Sequence, residues 1–520
     1  MTSAKMAPAP QAGETARRIH ELIGWQAARR GAAPGLVDCD GRVLSHAEYD
    51  AAIAEMAALL RGRGVAGGDR VLIVAENCAA TALAIFASSR LDAIAVPVNA
   101  RMTEAELDRI TAHARPRAIL YTSHVSPEAR AHAGTAKAEE VATATGDIAV
   151  AAGPGGTSEP VGAGAGQVGV ILYTTGTTGD PKGVMLTHAN LLFAGASSAA
   201  MRGMLPEDRI YGALPLTHVF GLASMLMAGA SCGACVQLET RFAPDRLLAA
   251  LKDGTTILPA VPQMHALLMK HTASLGLDRL EGAKLRYVSS GAAPLDPAWK
   301  RKAEAFYGLP LQNGYGMTES TAGICGTRNP IGTPDVSVGP ALPGIEIRID
   351  PQAQDAEGVG EIHTRGPHVM KGYYRNPEAT AQVIDAKGWL RTGDLGKIDA
   401  EGRLHVVGRC KELIIRSGFN VYPPEVEAAL NDHPQVVQAA VVGRARGGNE
   451  EVLAFVQCTD PAPAPAALKA HVSERLSSYK RPSKILIVDR LPAAATGKIL
   501  KHKLLGTFAD RLAALDAEEN

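Results

Sequence analysis

Apolar positions in the first hundred residues follow two alternating periods. From His46, HAEYDAAIAEMAALLRGRG has them at helical spacing; RVLIVAEN (Arg70 to Asn77) is a strand, AATALAIFASSR (Ala79 to Arg90) a helix, and AIAVPVN (Ala93 to Asn99) a second strand. That rhythm predicts a parallel sheet covered on both faces. Between about Thr122 and Gln167 the periodicity fades, and the stretch reads as a surface connector without chemistry. It resumes in GVILYTT (Gly169 to Thr175), RIYGALPL (Arg209 to Leu216), TTILPAVP (Thr255 to Pro262) and LRYVSSGAAP (Leu285 to Pro294), apolar runs ending in Gly, Ser, Thr or Pro. Such strand ends are where open parallel sheets hold ligands. Beyond Gly360, GEIHTRGPHVMKGYY and GRLHVVGR predict a small barrel or antiparallel sheet. Lys411 to Asn520 reads as a compact α/β unit with strands near VVQAAVVGR and LAFVQC, and a helix opening at Glu425 to Glu427 after Pro423 and Pro424.

The chain of 520 residues is long enough for more than one core. Lys plus Arg and Asp plus Glu both number 53, so no net field favours a polyanion, and nucleic acid is not an expected partner. Seven cysteines, scattered and odd in number, suit a reducing compartment. Only Cys232 and Cys235 have redox or metal spacing, and their small apolar flanks predict buried or semi-buried thiols instead. MTSAKMAPAPQAGETARRIHELIG lacks the apolar core of a secretory signal, which predicts a cytoplasmic protein. Ile210 to Leu238 carries no Asp, Glu, Lys or Arg, but Pro215, Thr217, His218, Ser224 and Ser231 break it up; it reads as a buried helix and strand, without stable membrane insertion. The basic residues Lys480, Arg481, Lys484, Lys498, Lys501 and Lys503 read as a solvated face unless position makes one of them chemical.

Candidate chemistry concentrates in YTTGTTGDPKGVMLTHAN, Tyr173 to Asn190. Glycines, threonine hydroxyls and Lys182 follow an apolar strand and make a loop whose N–H groups can wrap phosphate oxygens. It is not a Walker A loop, because Asp180 and Pro181 separate Gly179 from Lys182. NGYGMTES, Asn313 to Ser320, ends a strand in a tight turn bearing the Thr318 hydroxyl and Glu319 carboxylate. A carboxylate beside a phosphate site calls for a cation between them, and a hard oxygen ligand suits magnesium.

In this order, these segments closely resemble the adenylate-forming superfamily of acyl-CoA synthetases, aryl-CoA ligases, nonribosomal adenylation domains and luciferases. The resemblance implies an α/β fold: a large N-terminal domain, 1–409, of parallel and mixed sheets layered with helices plus a small barrel-like sheet, and a smaller mobile α+β domain, 410–520. It implies that Thr174, Thr175, Gly176, Thr177, Thr178, Gly179 and Lys182 cradle the β and γ phosphates of ATP; Thr175 replaces the more usual Ser but keeps the hydroxyl. Tyr315 would stack on adenine, Thr318 contact the α-phosphate and Glu319 hold Mg2+. SSGAAPL, Ser289 to Leu295, resembles the loop lining the adenine and acyl sites, with Gly291 and Ala292 allowing close approach. Asp394, in GWLRTGDLG, resembles the aspartate that holds both ribose hydroxyls. In GRLHVVGRCKELIIRSGFNVYPPEVE, Arg409 resembles a second ribose or phosphate contact and Lys411 stands at the hinge. In LPAAATGKILKHKLL, Lys498 is similar to the lysine that touches the substrate carboxylate and the bridging oxygen of ATP, although Ala493 to Ala495 replaces a more polar run.

The implied reaction has two steps. The acid's oxygen attacks the α-phosphorus of ATP and pyrophosphate leaves; the CoA thiol then takes the acyl group and AMP departs. Between them the small domain rotates, withdrawing Lys498 and bringing Gly418 to a tunnel for pantetheine; Asn420 departs from the Arg or Gln often found beside it. His218, in PLTHVFG, matches a family histidine at the acyl site, whereas on its residues alone it reads as a core histidine. Phe220, Ser224, Gly291, Ala292, Gly314 and Met317 are candidate wall residues by position. Ile210 to Leu238 offers neither an Asp for a substrate ammonium nor a second cation for a dicarboxylate, so an apolar monocarboxylate, aromatic or medium-chain aliphatic, is expected. Two other readings stay open: an adenylating enzyme that loads a carrier-protein thiol, although no carrier segment follows Lys498, and a non-catalytic nucleotide-binding protein, which the retention of Glu319 and Lys498 disfavours. Relatives of this kind are monomers or dimers, and the sequence leaves a homodimer open.

Overall fold

The computed structural model describes residues 16–175, 181–291, 295–350, 358–417, 419–446, 449–493 and 499–517. The predicted strand–helix–strand start is present: helix Ala79–Arg90 connects strands Arg70–Ala75 and Ile94–Asn99, which pair in parallel. Every residue of that helix except Arg90 is buried. A helix without a polar face is one covered on all sides, and its alanines keep it thin enough for neighbours to close around it.

Among the described residues, two eight-stranded sheets form the large N-terminal part. One runs in the order Gly372–Tyr373, Pro181–Thr187, Val168–Thr175, Ile94–Asn99, Arg70–Ala75, Ala118–Tyr121, Ile148–Ala152, Glu139–Val141. The other runs Ala322–Gly326, Leu311–Met317, Tyr287–Ser290, Ile257–Ala260, Arg209–Gly212, Cys235–Leu238, Pro34–Val37, Val43–Ser45. Inner pairs are parallel and outer pairs antiparallel. The small sheet expected near Gly360 has four antiparallel strands, Glu346–Ile349, Gly360–Arg365, Leu390–Ile398 and Leu404–Arg409. Beyond it come the hairpin Ile414–Arg416 and Phe419–Val421 and a three-stranded sheet, Val436–Arg446, Asn449–Cys458 and Lys484–Val488, with its own core around Val441, Ala454 and Leu468. Helix Pro423–Asn431 takes both prolines into its first turn, where a missing N–H leaves no intrahelical bond unmade.

Residues 122–167 are more regular than their composition predicts. Helix Pro127–Thr135, capped by Ser126, and strands Glu139–Val141 and Ile148–Ala152 extend the first sheet. The strands are short and Ala-rich, so their alternation is weak until Ala118–Tyr121 supplies an apolar partner. Ile210 to Leu238 folds as expected into a helical run, Val219–Gly221, Leu222–Met227 and Ala228–Cys232, followed by strand Cys235–Leu238. No described helix is long and apolar enough to cross a membrane. Cys232 and Cys235 are free, and burial pushes each thiol up to about 11. Lys484 departs from the solvated-face expectation: it is 3% exposed and pairs with Asp516 at 2.8 Å.

Three fully buried histidines make the fold acid-sensitive. Burial pushes His188 down to about 3, and His265 and His368 to about 4, against about 6.5 in an unfolded chain. Below pH 6.5 the unfolded chain takes up protons that the folded chain refuses, so this contribution is complete above pH 6.5 and is lost as pH falls toward 4. The slope is about 1.4 kcal/mol per pH unit for each histidine. Denaturant unfolding should show stability dropping steeply from pH 6.5 to 5, and His265→Leu should flatten the drop; a level profile over that range would contradict the assignment.

Candidate active site

Strands Val168–Thr175 and Pro181–Thr187 pair antiparallel, with Thr174 opposite Lys182. The two strands that flank the phosphate-loop motif are therefore paired up to Thr175 and Pro181. Gly176, Thr177, Thr178 and Gly179 lie outside the described residues, as does the Thr175 side chain. The second strand runs into helix His188–Met201 through a capping box in which Thr187 accepts from the Asn190 N–H at 3.1 Å. The Asn190 amide then donates to the Pro367 and Val369 carbonyls at 2.7 and 2.9 Å.

These bonds recruit a segment to which the sequence reading gave no role. Strand Gly372–Tyr373 pairs with Pro181–Thr187, placing Tyr373 opposite Val184, and the Tyr374 N–H donates to the Gly183 carbonyl at 2.7 Å. The Tyr373 hydroxyl donates to Glu319 Oε1 at 2.9 Å, and the Lys182 ammonium lies 4.9 Å from the centre of the Tyr373 ring. Burial, then the neighbouring Glu319 carboxylate, push the Tyr373 hydroxyl up, so it stays a donor. The Met370 N–H donates to the Glu319 carbonyl at 2.9 Å, and the Thr321 hydroxyl to the His368 carbonyl at 2.8 Å. Segment 367–374 thus joins the lysine strand to the acidic turn. The available signal was the aromatic pair in KGYYRNP directly after a glycine.

The turn itself depends on Gly316. A Cβ there would fall 1.5 Å from the Ala322 carbonyl oxygen, because strand Ala322–Gly326 doubles back against Leu311–Met317. Thr318, buried, begins the short turn Thr318–Ser320. Half-buried Glu319 is pinned through one carboxylate oxygen, and that hard oxygen chemistry fits magnesium.

Tyr315, Asp394 and Arg409 converge from two sheets. The Tyr315 hydroxyl donates to Asp394 Oδ2 at 2.6 Å, while Arg409 Nε reaches Asp394 Oδ1 at 3.1 Å from the position opposite it on the neighbouring strand. Burial, reinforced by Asp394, holds the Tyr315 hydroxyl far above its ordinary range. A buried carboxylate gripped by both oxygens suits a vicinal diol, which would exchange these bonds for its own.

On the acyl side, a Cβ at Gly291 would lie 3.0 Å from the Phe220 ring, so the two candidates are in contact. His218 is exposed, which sets aside the core-histidine alternative, and its Nδ1 accepts from the Phe220 N–H at 3.3 Å. Gly314 and Met317 are half-buried on the strand that carries Tyr315. Ser224 is 5% exposed with its hydroxyl 3.5 Å from that of Ser198. Lys411 is exposed in the turn Cys410–Glu412, and the Asn420 amide lies 3.5 Å from the Tyr422 hydroxyl. Ala292, Gly418 and Lys498 lie outside the described residues. Asp350, Glu361 and His363 cluster with ligand atoms within 4.8 Å, but Arg391 pairs with Glu361 at 2.8 Å, so the group reads as an ion-pair network.

The model of the AMP-binding enzyme family matches residues 23–374, and that of the AMP-binding enzyme C-terminal domain matches residues 425–498. The chain belongs to the AMP-binding enzyme family. It is similar to 4-coumarate–CoA ligase 3 of Oryza sativa subsp. japonica, with 34% identity over 96% of this chain and 94% of the relative. It is also similar to ATP-bound MatB from Rhodopseudomonas palustris, at 30% identity and TM-score 0.83, covering 95% of this chain and 99% of the other. A third likeness is to O-succinylbenzoate coenzyme A synthetase (MenE) from Bacillus subtilis in complex with ATP and magnesium ion, at 30% identity, TM-score 0.80, and 93% and 98% coverage. As an AMP-binding enzyme, the chain is an acid–thiol ligase of the AMP-forming type, using ATP, Mg2+ and CoA.

Proposed function

We propose that this AMP-binding enzyme converts an aromatic or medium-chain monocarboxylate with an apolar body into its CoA thioester through an acyl adenylate. Residues 1–409 would bind ATP and acid, and 410–520 would bring Lys498 to the reacting oxygens and then withdraw it. The observation that carries the reading is the linkage of Lys182, Tyr373 and Glu319, with Tyr315, Asp394 and Arg409 as a second polar cluster.

A carboxylate resists nucleophiles until its oxygen becomes part of a leaving group. Attack on the α-phosphorus spreads charge over the nonbridging oxygens, which the hairpin N–H groups, Lys182 and Thr318 would stabilise, with Lys498 at the oxygen being transferred. Magnesium, when bound by Glu319, neutralises phosphate charge. Asp394 and Arg409 would hold the ribose, Tyr315 would stack on adenine, and His218, Phe220 and Gly291 would border the acid; Gly418 and Asn420 would line the thiol's approach after rotation near Lys411. No protein nucleophile is required. The free cysteines support a cytoplasmic site of action.

Acid-dependent pyrophosphate release with ATP and magnesium, over aryl, medium-chain, long-chain, dicarboxylic and amino acids, tests the reading. Aryl or medium-chain acids should give turnover sustained only when CoA is present. Turnover sustained only by a loaded carrier protein would replace CoA as the acceptor, and no acid-dependent pyrophosphate under any condition would overturn the proposal.

A further inference from the structure

Side chains two apart on a strand share a face, so Tyr287, Ser289 and Gly291 form one row along strand Tyr287–Ser290 and the residue after it. The ends of this row differ in chemistry. Gly291 meets the Phe220 ring, next to exposed His218. Tyr287, about 13 Å away at roughly 3.3 Å per residue, meets Arg202, whose guanidinium carbon lies 6.0 Å from the ring centre. Burial pushes the Tyr287 hydroxyl up, and the neighbouring Arg202 and Ser289 work against that shift.

Arg202 is 6% exposed, with one terminal nitrogen donating to the Ser224 carbonyl and Nε without a partner. The ionisable groups facing it are the Tyr287 hydroxyl and the Cys232 thiol, and among the described residues no carboxylate pairs with it. Arg70, equally deep, is different: its three nitrogens donate to the Ala114, Gly68, Thr157 and Arg115 carbonyls. A buried guanidinium without a counter-anion and with an idle donor is costly, and a ligand that supplies the acceptor removes that cost. The Ser224 carbonyl that Arg202 holds belongs to the π-helical turn Leu222–Met227, a widened turn of a kind frequent at ligand sites. That turn follows directly on the His218 to Gly221 segment at the other end of the row.

We propose that Arg202, with the Tyr287 hydroxyl, forms the floor of the acyl pocket and receives a hydrogen-bond-accepting oxygen, a hydroxyl or carboxylate, carried at the far end of the acid. The inference rests on the ligase reading and sharpens its acid, which is apolar along its body and oxygen-tipped about a strand's length from the carboxylate that is adenylated; a hydroxyl tip keeps the monocarboxylate of that reading, and a carboxylate tip replaces it. The expectation that no second cation is at hand came from residues 210–238, and Arg202 lies just ahead of them on the neighbouring helix end.

The experiment compares kcat/KM for pyrophosphate release with 3-phenylpropenoic acid and its 4-hydroxy and 4-carboxy derivatives, in the parent chain, Arg202→Met and Tyr287→Phe. The parent should favour at least one oxygen-tipped acid tenfold or more over the plain one; the arm with the larger ratio identifies the group as hydroxyl or carboxylate. Arg202→Met should cut that ratio at least tenfold and Tyr287→Phe severalfold. If Arg202 only braces the Ser224 carbonyl, both variants lower all three acids in parallel and the ratio stands, which overturns the proposal. Should Arg202→Met not fold, an unchanged ratio in Tyr287→Phe overturns it equally. Turnover without any preference in the parent rejects the Arg202 assignment and leaves the ligase intact, whereas no acid-dependent pyrophosphate with any acid, across the wider panel as well, rejects both.

Discussion

Lys498→Ala should slow pyrophosphate release from acid and ATP at least a hundredfold while thioester formation from supplied acyl adenylate keeps its rate. The two halves separate because charge develops on the bridging oxygen only in the first, and one well-placed donor in a water-poor site is worth roughly 10²–10³ in rate. The residues on either side of this lysine's segment are tied together: Ala493 and Ile499 form an antiparallel bridge, and the Leu500 N–H donates to the Pro492 carbonyl at 2.8 Å. Binding of ATP, assigned to the hairpin and the Tyr315–Asp394–Arg409 cluster, should persist by equilibrium titration. Adenylate formation at the parent rate would remove Lys498 from the mechanism, and an equal loss in both halves would point to a damaged fold.

Lys501→Met should have the second large effect, on stability. Its ammonium lies 3.1 Å from Glu412 Oε2 and 2.8 Å from Glu427 Oε1, with side chains 18%, 33% and 15% exposed. Glu427 Oε1 also accepts from the Val441 N–H at 2.8 Å, so the lysine ties the turn Cys410–Glu412 to the C-terminal core. Burial alone pushes the Glu427 carboxyl up; Lys501 works against that shift, and Glu412 adds to it. Without the lysine, two carboxylates share a half-dry pocket, at a cost of about 3 kcal/mol. A carboxyl whose folded pKa is raised destabilises as pH climbs through it, so the gap between variant and parent should widen at pH 8 and narrow near pH 5. Hydrogen exchange should quicken around residues 410–430 and 499–507, and Lys501→Arg should restore protection. Parent-like exchange in Lys501→Met would mean the contact is idle.

The sequence made most of this architecture legible because its signals are local. Helix Ala79–Arg90 and the strands on either side of it followed from runs of apolar residues that need no partner to be recognised. Lys182, Thr318 and Glu319 stood out because glycines and hydroxyls crowd around them. What escaped was relational. Tyr373 acquires meaning only when its strand pairs with Pro181–Thr187, nearly two hundred residues earlier. Arg202 looks like an ordinary helix-end arginine until Tyr287 arrives from another sheet strand. Residues 122–167 looked formless because two short Ala-rich strands show their faces only once paired.

The strand Gly372–Tyr373 bears on recombination. Because it pairs with the lysine strand while its tyrosine holds the acidic turn, a chimera spliced between residues 320 and 370 would join a hairpin from one parent to a clamp from the other. A crossover just after Tyr374 would inherit hairpin, turn and clamp as a single block, leaving Asp394, Arg409 and everything C-terminal to be exchanged.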